Sequence, residues 1–492
     1  MKAVLLFKCK LKRFQKGNEN SFVLIIIFKA KIETFQLIRI MLEIRSVLFF
    51  NRIETFQRRE TMKKWKLGVA TVAAIAALGL AGCSNNQGSS NSKNVTMWVH
   101  VSNTDPEGKA LQKNVNDFNK ENKHGYKAKV QFIPRSGSGG GYEDKVNAAL
   151  NSGSLPDVLT LDGPNTAAYA HSKIIQPVGK YIQGKDDFVK SIIDQGTYNK
   201  KLYAIGYSES SIGFYYNKKM FKEAGIKDSE LPTLSKPWNW NQFKDICKKI
   251  TNHFHEPAIN MNLNDHSEMA LYSFAPFVWS AGGSITNPAG TKAVGYFNSK
   301  QTTSAFQLIQ DMVKDGYTTI SPKDKGFETG KYAMFMTGVW EVQTLQNQYK
   351  NLKWGVLPYP VSPKTNKEVS PTGSWQYAMS SAAKNKKAAG ALINYLVSKK
   401  ALMTNERIMG NTVLPVRKSV AKELVPKVGP AMKFFIKQNQ TTGHARPVLV
   451  NYPQVTRTFA DTVQNVTLYK KNPNVQKVMD EQAKVIQKYL QK

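Results

Sequence analysis

From Val95 onward, short apolar runs alternate with segments whose apolar residues recur at helical spacing. The run VTMWVH precedes a segment in which Leu111, Val115 and Phe118 lie three or four residues apart, and the runs YKAKVQFIP and PDVLTL follow it. PDVLTL is continuously apolar at its centre, which is typical of a buried parallel strand. This alternation predicts an open α/β sheet with right-handed crossovers.

A second α/β region begins near Ser210. The segment IGFYYNKKMFKEAGI predicts a strand and a helix, and TTSAFQLIQDMVKDG and WNWNQFKDICKKI predict helices, with Cys247 buried in the latter. We read GFETGKYAMFMTGVW as helix, turn and strand, KWGVLPYPV as a strand, and AAKNKKAAGALINYLVSKK as one helix. The tail NVQKVMDEQAKVIQKYL carries its apolar residues on one helical face.

The chain has 492 residues, enough for two or more lobes, and a formal net charge of +34. Its lysines are scattered, without an arginine-rich tract or a basic-aromatic motif, which argues against nucleic-acid binding. The three cysteines form no CxxC pair, HFHE is not HExxH, and neither a phosphate-binding glycine motif nor a GxSxG elbow is present. We therefore expect no metal, no cofactor and no enzymatic activity.

The segment that begins at Met62 has the layout of an export signal, with three lysines, a short apolar stretch and then Leu-Ala-Gly-Cys ending at Cys83. It resembles the bacterial lipoprotein signal, which implies a signal peptide over 62–82, a lipid on Cys83 and a flexible tether over 83–94. We interpret 1–61 as a non-native N-terminal extension; the alternative is a genuine membrane segment. Without residues 1–82 the chain keeps 53 basic and 30 acidic residues, a net charge of +23.

The ordered segments SLPDVLTLDGPNTAAYA, YAIGYSESSIGFYYNKKMFKEAGI, GKYAMFMTGVWEV and PTGSWQYAMSSAAKNKKAAGALINYLV resemble the family 1 extracellular solute-binding proteins, which include maltose-binding protein. The resemblance extends from Val95 to the C-terminus. It implies a two-lobed Venus-flytrap fold with an interlobe hinge and a ligand cleft. Lobe 1 would comprise 95–207 with 377–421, and lobe 2 would comprise 208–376 with 422–492.

The same resemblance implies a monomer that is lipid-anchored on the outer face of the bacterial membrane, captures a sugar or oligosaccharide, and delivers it to the permease subunits of an ABC importer. Two alternatives stay open. One is the same fold with a non-sugar polar solute such as glycerol phosphate, and the other is an adhesin or cell-wall interaction, which the net charge of +23 suggests.

A sugar site combines aromatic platforms with strongly hydrogen-bonding groups, and open α/β sheets bind ligands at the carboxyl ends of their strands. The resemblance implies a ligand-binding carboxylate or amide at Asp162 or Asn165, just after PDVLTL; the alternative is that either residue caps the next helix. It implies stacking at Trp340, and Trp375 lies in a segment expected to cross between the lobes.

Further ligand-binding candidates are less specific. Glu209 corresponds to a position near the hinge where sugar-binding members place an acidic residue, with a solvated loop glutamate as the alternative. Trp279 ends a predicted helix before a glycine turn, where core packing and stacking are equally compatible with the pattern. The remaining candidates are His100 and Asn103, which follow the first strand, and Arg446 in HARPVLVNYP.

Overall fold

The computed structural model describes residues 93–135, 141–410, 412–468 and 473–491. Within them, two β-sheets and a two-stranded hairpin are packed by helices. The strands are β1 Asn94–Val99, β2 Lys127–Phe132, β3 Val158–Asp162, β4 Ile175–Gln176, β5 Thr197–Tyr198, β6 Lys201–Leu202, β7 Ala204–Ser210, β8 Ile212–Asn217, β9 Ile259–Asn260, β10 Met334–Gly338, β11 Trp354–Leu357, β12 Ser370–Ser380 and β13 Gly443–Ala445.

The helices alternate with the strands from Asn94 to His171, as the sequence predicts, and four of the described helices follow one another between the last two strands. They are α1 Pro106–Glu121, α2 Tyr142–Ser152, α3 Thr166–His171, α4 Lys190–Gln195, α5 Lys218–Glu223, α6 Trp240–Phe254, α7 Met269–Ser280, α8 Lys300–Lys314, α9 Glu341–Gln348, α10 Lys386–Leu396, α11 Lys399–Met409, α12 Lys418–Leu424, α13 Pro430–Thr441, α14 Tyr452–Thr467 and α15 Val475–Leu490. Short 3₁₀ turns lie at Gly163–Asn165, Lys185–Asp187, Asp228–Glu230 and Val425–Lys427.

The first sheet has the order β13-β12-β3-β1-β2, with β4 and β7 also paired to β12. Strand β1 runs parallel to both β2 and β3, and every residue of β3 is buried. The prediction of a buried parallel strand at PDVLTL is therefore confirmed. Because β1, β2 and β3 point the same way, their carboxyl ends share one edge of the sheet. Strand β12 lies beside β3 in antiparallel orientation and reaches that edge at Trp375, the register partner of Asp162.

The second sheet has the order β11-β8-β10-β9. Its central strands β8 and β10 are antiparallel, and β9 joins β10 in parallel. Helices α6, α7, α8, α14 and α15 contribute side chains to the core on this sheet, and Cys247 on α6 is fully buried, as predicted.

Two large hydrophobic cores divide the described residues between two lobes. One core draws on residues 95–207 and 377–420, and the other on residues 212–369 and 449–486. Burial of apolar side chains on this scale is the main favourable term in folding, so each lobe has its own source of stability. The lobe boundaries inferred from the sequence stay predictions.

Two stretches of strand connect the lobes. Strand β7 passes through Ser211 into β8, and the long strand β12 pairs with β7 and β3 of the first lobe and, at its start, with β13. The Ser211 hydroxyl donates to the Pro371 carbonyl at 2.8 Å, which ties these two connections together. Nearby, Glu209 and Leu414 exchange backbone hydrogen bonds of 3.1 and 2.7 Å.

Two local predictions are wrong. The first half of GFETGKYAMFMTGVW forms turns and not a helix, because Lys325 and Gly330 adopt left-handed φ angles of 48° and 72° that a right-handed helix cannot contain. The segment AAKNKKAAGALINYLVSKK is interrupted after Leu396, because the Ser398 side chain accepts a hydrogen bond from the Ala401 amide and begins a new helix, α11.

The predicted signal peptide, lipid-bearing Cys83 and the extension over 1–61 lie outside the described residues. Among the helices that are described, none combines the length and the apolar character that crossing a bilayer requires.

Candidate functional site

Three of the candidate residues lie at the shared carboxyl edge of the first sheet. His100 directly follows β1, Asp162 is the last residue of β3, and Trp375 on β12 is the register partner of Asp162. The parallel arrangement of β1 and β3 therefore brings together residues that are more than sixty positions apart in sequence.

The imidazole of His100 stacks on the indole of Trp375, with ring centroids 3.2 Å apart and an interplanar angle of 7°. His100 Nδ1 lies at a hydrogen-bonding distance of 3.1 Å from the Thr160 hydroxyl, and this contact orients the imidazole. Burial and the nearby Arg135 charge lower the pKa of His100 well below its ordinary value. The imidazole is thus neutral at pH 7 and acts as a flat, hydrogen-bonded partner of the indole.

Arg135 lies beside the same indole, with its guanidinium carbon 5.2 Å from the ring centroid. Its Nε atom lies 2.9 Å from Oε1 of Glu143, so the charge of Arg135 is paired. Burial raises the pKa of Glu143 to about 6, and Arg135 offsets part of that rise. Arginine stacking on an aromatic face while binding a carboxylate is a rigid arrangement that lysine would not reproduce.

A buried ion-pair network joins the two lobes. Arg446 donates to the two carboxylate oxygens of Asp162 at 2.7 and 3.0 Å, and also to Glu268, which in turn accepts from the Tyr452 hydroxyl. The Arg446 guanidinium also lies over the Tyr272 ring, 4.7 Å from its centroid. Only 4% of the Arg446 side chain is exposed. Its two terminal nitrogens donate to the carboxylates of Asp162 and Glu268, whereas its buried Nε has no hydrogen-bond partner in the described part of the chain.

The charges in this network depend on one another. Burial opposes the positive charge of Arg446, but Asp162, Tyr452 and Glu268 outweigh it and keep the Arg446 pKa well above its ordinary value. Burial raises the pKa of Glu268, and Arg446 lowers it only in part. Removing the arginine would leave two buried carboxylates without a counter-charge, which is an expensive arrangement.

A cavity of about 570 Å³ lies between the lobes beside this network. The first lobe lines it with Arg135, Glu143, Asn165 and Tyr169, among other residues. The second lobe contributes Glu268, the segment 450–451 and residues at the start of α14, including Gln454. Its volume suits a small organic ligand, and its wall offers amides, a phenol and two carboxylates for hydroxyl groups.

Asn165 and Asp162 both lie at the start of short helical turns, but neither side chain makes a capping hydrogen bond. The capping alternative is therefore wrong for both residues in this structure. Asp162 pairs with Arg446 instead, and Asn165 lines the cavity.

Glu209 lies between the lobes, on β7, and is completely buried. It accepts hydrogen bonds from the Ser191 hydroxyl at 2.8 Å and the Ser210 amide at 3.1 Å. Burial raises its pKa to about 7, because these hydrogen bonds and the distant Arg446 charge only partly compensate for the loss of water. The solvated-loop alternative is therefore wrong. Glu209 is not among the residues that line the cavity, and its ligand-binding role stays a prediction.

Three other candidates lie apart from the cavity. Trp279 is 9% exposed and stacks on His444 with centroids 4.1 Å apart. Trp340 is half-buried against the hydrophobic cores of the second lobe, in close contact with Gly338. Asn103 is exposed in the loop between β1 and α1. Their ligand-binding roles stay predictions.

The sequence reasoning missed several residues of this site. Glu143 lies in the first turn of α2 and Glu268 just before α7, where acidic residues are common for reasons unrelated to ligands. Arg135 was visible only as the first residue of the glycine-rich stretch RSGSGGGY. The contacts that Glu143, Glu268 and Arg135 make depend on the tertiary fold and not on a sequence motif, so no local pattern identified these three residues.

A larger groove of about 640 Å³ lies along α6 and the preceding 3₁₀ turn, with Trp238 and Asn252 in its wall. All of its lining residues come from the second lobe. The interlobe cavity is the better candidate for the main site, because buried charged side chains of both lobes converge there.

Comparison with known proteins agrees with this geometry. The family model described as bacterial extracellular solute-binding protein matches residues 113–433, more than half of the chain. The multiple sugar-binding protein of Streptococcus mutans is 24% identical over 377 residues, which covers 71% of this chain and 83% of that protein. The sn-glycerol-3-phosphate-binding periplasmic protein of Pectobacterium atrosepticum is 26% identical over 276 residues, covering 52% of this chain and 59% of that protein.

Among solved structures, the cyclic alpha-maltosyl-1,6-maltose binding protein of Arthrobacter globiformis superimposes with a TM-score of 0.68 at 22% identity, covering 81% of this chain and 98% of that chain. This likeness confirms the predicted two-lobed α/β fold. The family match and the shared fold together show that the chain belongs to the bacterial extracellular solute-binding proteins.

Proposed function

We propose that this protein captures a neutral sugar or oligosaccharide in the interlobe cavity and delivers it to the permease of an ABC importer. The observation that carries the proposal is that Arg135, which lines the cavity, and Arg446, which pairs with the lining residue Glu268, are both already paired with carboxylates. Arg135 pairs with Glu143, and Arg446 pairs with Asp162 and Glu268. The wall therefore offers hydrogen bonds without a free positive charge.

This charge balance favours a sugar over a phosphate ester. An anionic ligand would meet the carboxylates of Glu143 and Glu268 in the cavity wall and would find no unpaired arginine among the described lining residues. A sugar hydroxyl, in contrast, donates to a carboxylate and forms one of the stronger hydrogen bonds available in proteins. The similarity to a glycerol-phosphate-binding relative keeps the phosphate ester as the second candidate.

We further propose that the protein binds its ligand without chemical change. The carboxyl groups of Asp162 and Glu268 are each paired with the Arg446 guanidinium, and that of Glu143 is paired with Arg135, so each of the three is held in place by an arginine. Incubating the protein with oligosaccharides and analysing the mixture by chromatography tests this statement. Recovery of the intact oligosaccharide supports binding alone, and shorter products would contradict it.

The anchor at Cys83 is part of the same proposal. A lipid on this cysteine would hold a monomeric receptor at the outer face of the membrane, where its permease lies. Expression of the chain and of Cys83→Ser in bacteria, followed by detergent phase partitioning, tests it. We expect the unaltered protein in the detergent phase and the variant in the aqueous phase; equal partitioning would contradict the anchor.

The location of the sugar site is tested with one amide from each lobe. In a thermal-shift screen against a sugar panel, a ligand that binds only the folded state raises the melting temperature. Asn165→Ala and Gln454→Ala remove one cavity amide each and should both reduce the shift. The matched control Asn252→Ala removes an exposed amide from the α6 groove and should leave the shift unchanged. Loss of the shift in the control alone would contradict the interlobe site.

A further inference from the structure

A second concave surface, on the first lobe and outside the interlobe cavity, is strongly basic. It is a groove of about 580 Å³ whose wall includes five exposed lysines, which we call the lysine groove. These are Lys180, Lys185, Lys200, Lys201 and Lys386. They come from three separate parts of the chain, and folding brings these three parts together.

The lysine groove has no internal counter-charge. No carboxylate is among its described lining residues, and none of the five lysines forms an ion pair within the described part of the chain. Some lysines elsewhere are paired, as Lys190 is with Asp194 and Lys400 is with Glu121. Five like charges around one groove repel each other, and an anion in the groove would relieve that repulsion.

Local structure holds two of the lysines at the groove. Asn199 and Lys200 have left-handed φ angles of 46° and 61°, which form the tight turn between β5 and β6 that carries Lys200 and Lys201. Lys386 begins helix α10, whose first turn contains no acidic residue. A lysine at the positive end of a helix is electrostatically unfavourable, so this position adds to the positive potential of the five lysines.

The basic surface continues into a second groove of about 560 Å³, which shares Tyr181 with the first. Lys123 and Lys387 line this continuation. Its carboxylate, Glu121, is already bound by Lys400 and by the Tyr395 hydroxyl at 3.0 Å. The two grooves together form an elongated basic track, which fits a chain of repeated negative charges better than a single small anion.

We propose that the lysine groove binds an anionic phosphodiester polymer of polyol units. Lysine supplies compact point charges without the bidentate geometry of arginine, and this suits a flexible chain of phosphates. The concave track favours a polymer over a flat lipid surface. The shared aromatic ring, Tyr181, already has the Lys180 ammonium 5.1 Å from its centroid. Of the other rings in the track, Tyr395 packs edge-to-face against Phe118 and His124 lies against Tyr126, so the described rings are engaged with protein groups, unlike the open stacking platforms of single-stranded nucleic-acid sites. This inference is independent of the proposed sugar site.

The test uses the full chain in a neutral detergent and a synthetic glycerol phosphate oligomer of about ten units, with affinity measured by calorimetry. We expect binding that weakens by about 100-fold between 50 and 200 mM salt, as for a single-stranded polyanion that contacts five cations. The variant Lys180→Gln/Lys200→Gln/Lys201→Gln/Lys386→Gln should lose at least tenfold in affinity. Its circular dichroism melting curve verifies that it folds.

The matched control removes the same charge elsewhere, with glutamine replacing four exposed lysines that lie outside both grooves. These are Lys222, Lys300, Lys364 and Lys433. Full affinity in this control supports the proposal, and an equal loss in both variants would overturn it in favour of net charge alone. Equally tight binding of oligothymidylate, or binding only to mixed micelles containing anionic phospholipid, would also overturn it.

Discussion

The ion pairs of Arg446 lead to a quantitative prediction about stability. In Arg446→Met, the hydrogen bonds of 2.7 and 3.0 Å to Asp162 and the contact with Glu268 are lost. The side chains of Asp162 and Glu268 are only 8% and 17% exposed, so water cannot replace the arginine fully. Breaking a buried pair on one side typically costs about 3–5 kcal/mol, and we expect a loss of this size in the free energy of unfolding at pH 8.

The loss should depend on pH in a defined direction. Burial already raises the folded-state pKa of Glu268, and without the offsetting charge of Arg446 that pKa rises further above its unfolded value. A carboxyl group with a raised folded-state pKa lowers the free energy of unfolding at high pH, because it ionises more easily in the unfolded chain than in the folded one. This loss of stability becomes smaller as the pH falls and the group is protonated in both states. We therefore expect the difference between wild type and variant to fall by at least about 1.4 kcal/mol from pH 8 to pH 5, since one pKa unit corresponds to that energy.

Urea unfolding of the full chain at both pH values measures this effect. Adding Asp162→Asn and Glu268→Gln to Arg446→Met removes the orphaned charges and should recover more than half of the loss. Arg407→Met is the matched control, because Arg407 is exposed on α11 and bonds within its own helix, and it should change stability by less than about 0.5 kcal/mol. A pH-independent loss, or one no larger than the control, would refute the reasoning.

Three further predictions concern the strands at the site. Trp375→Ala removes the ring that stacks on His100 and should weaken sugar binding at least tenfold, or about 1.4 kcal/mol. The control is Trp98→Ala, at a half-buried tryptophan that faces Lys145, and it should keep nearly full affinity in the same titration. Equal losses would contradict a role for the stack. Glu209 has a raised folded-state pKa of about 7, so its contribution to stability is fully present below pH 4.5 and is lost as the pH rises to about 7. Unfolding measurements should therefore show the wild type losing about 3 kcal/mol over that window relative to Glu209→Gln. Parallel pH curves for the two proteins would argue against a buried neutral carboxyl. In Gly373→Ala the new methyl group would lie 2.9 Å from Arg446 Nη2 and 3.0 Å from the Tyr272 ring, so denaturation should show a destabilisation of about 1–3 kcal/mol, and an unchanged midpoint would show that the contact relaxes freely.

Much of the fold follows from local patterns in the sequence. The apolar face of α15 and the continuous apolar run of β3 predicted these elements correctly, because burial on one helical face or on both strand faces leaves a periodic signature. The error at GFETGKYAMFMTGVW has a local cause as well, since residues near Lys325 and Gly330 adopt backbone angles that an apolar pattern does not reveal.

The site was predictable only in part, because strand ends are visible in a sequence and long-range pairs are not. His100 and Asp162 were identified as residues that follow parallel strands, and the fold brings both to one edge. Arg446 and Asp162 were each proposed as ligand-binding residues, but the ion pair between them joins positions 284 residues apart. Glu268 and Tyr452 have no local signal at all, since only the packing of α7 against α14 brings them together.

The most direct test of the central claim is a calorimetric titration of the wild-type chain at pH 7.5. The titrants are the sugar that gives the largest thermal shift and, separately, glycerol 3-phosphate. The paired arginines predict saturable binding of the neutral sugar with at least tenfold higher affinity than the phosphate ester. Saturable binding of glycerol 3-phosphate, with no heat from any sugar in the panel, would contradict the claim that the interlobe cavity is a neutral sugar site.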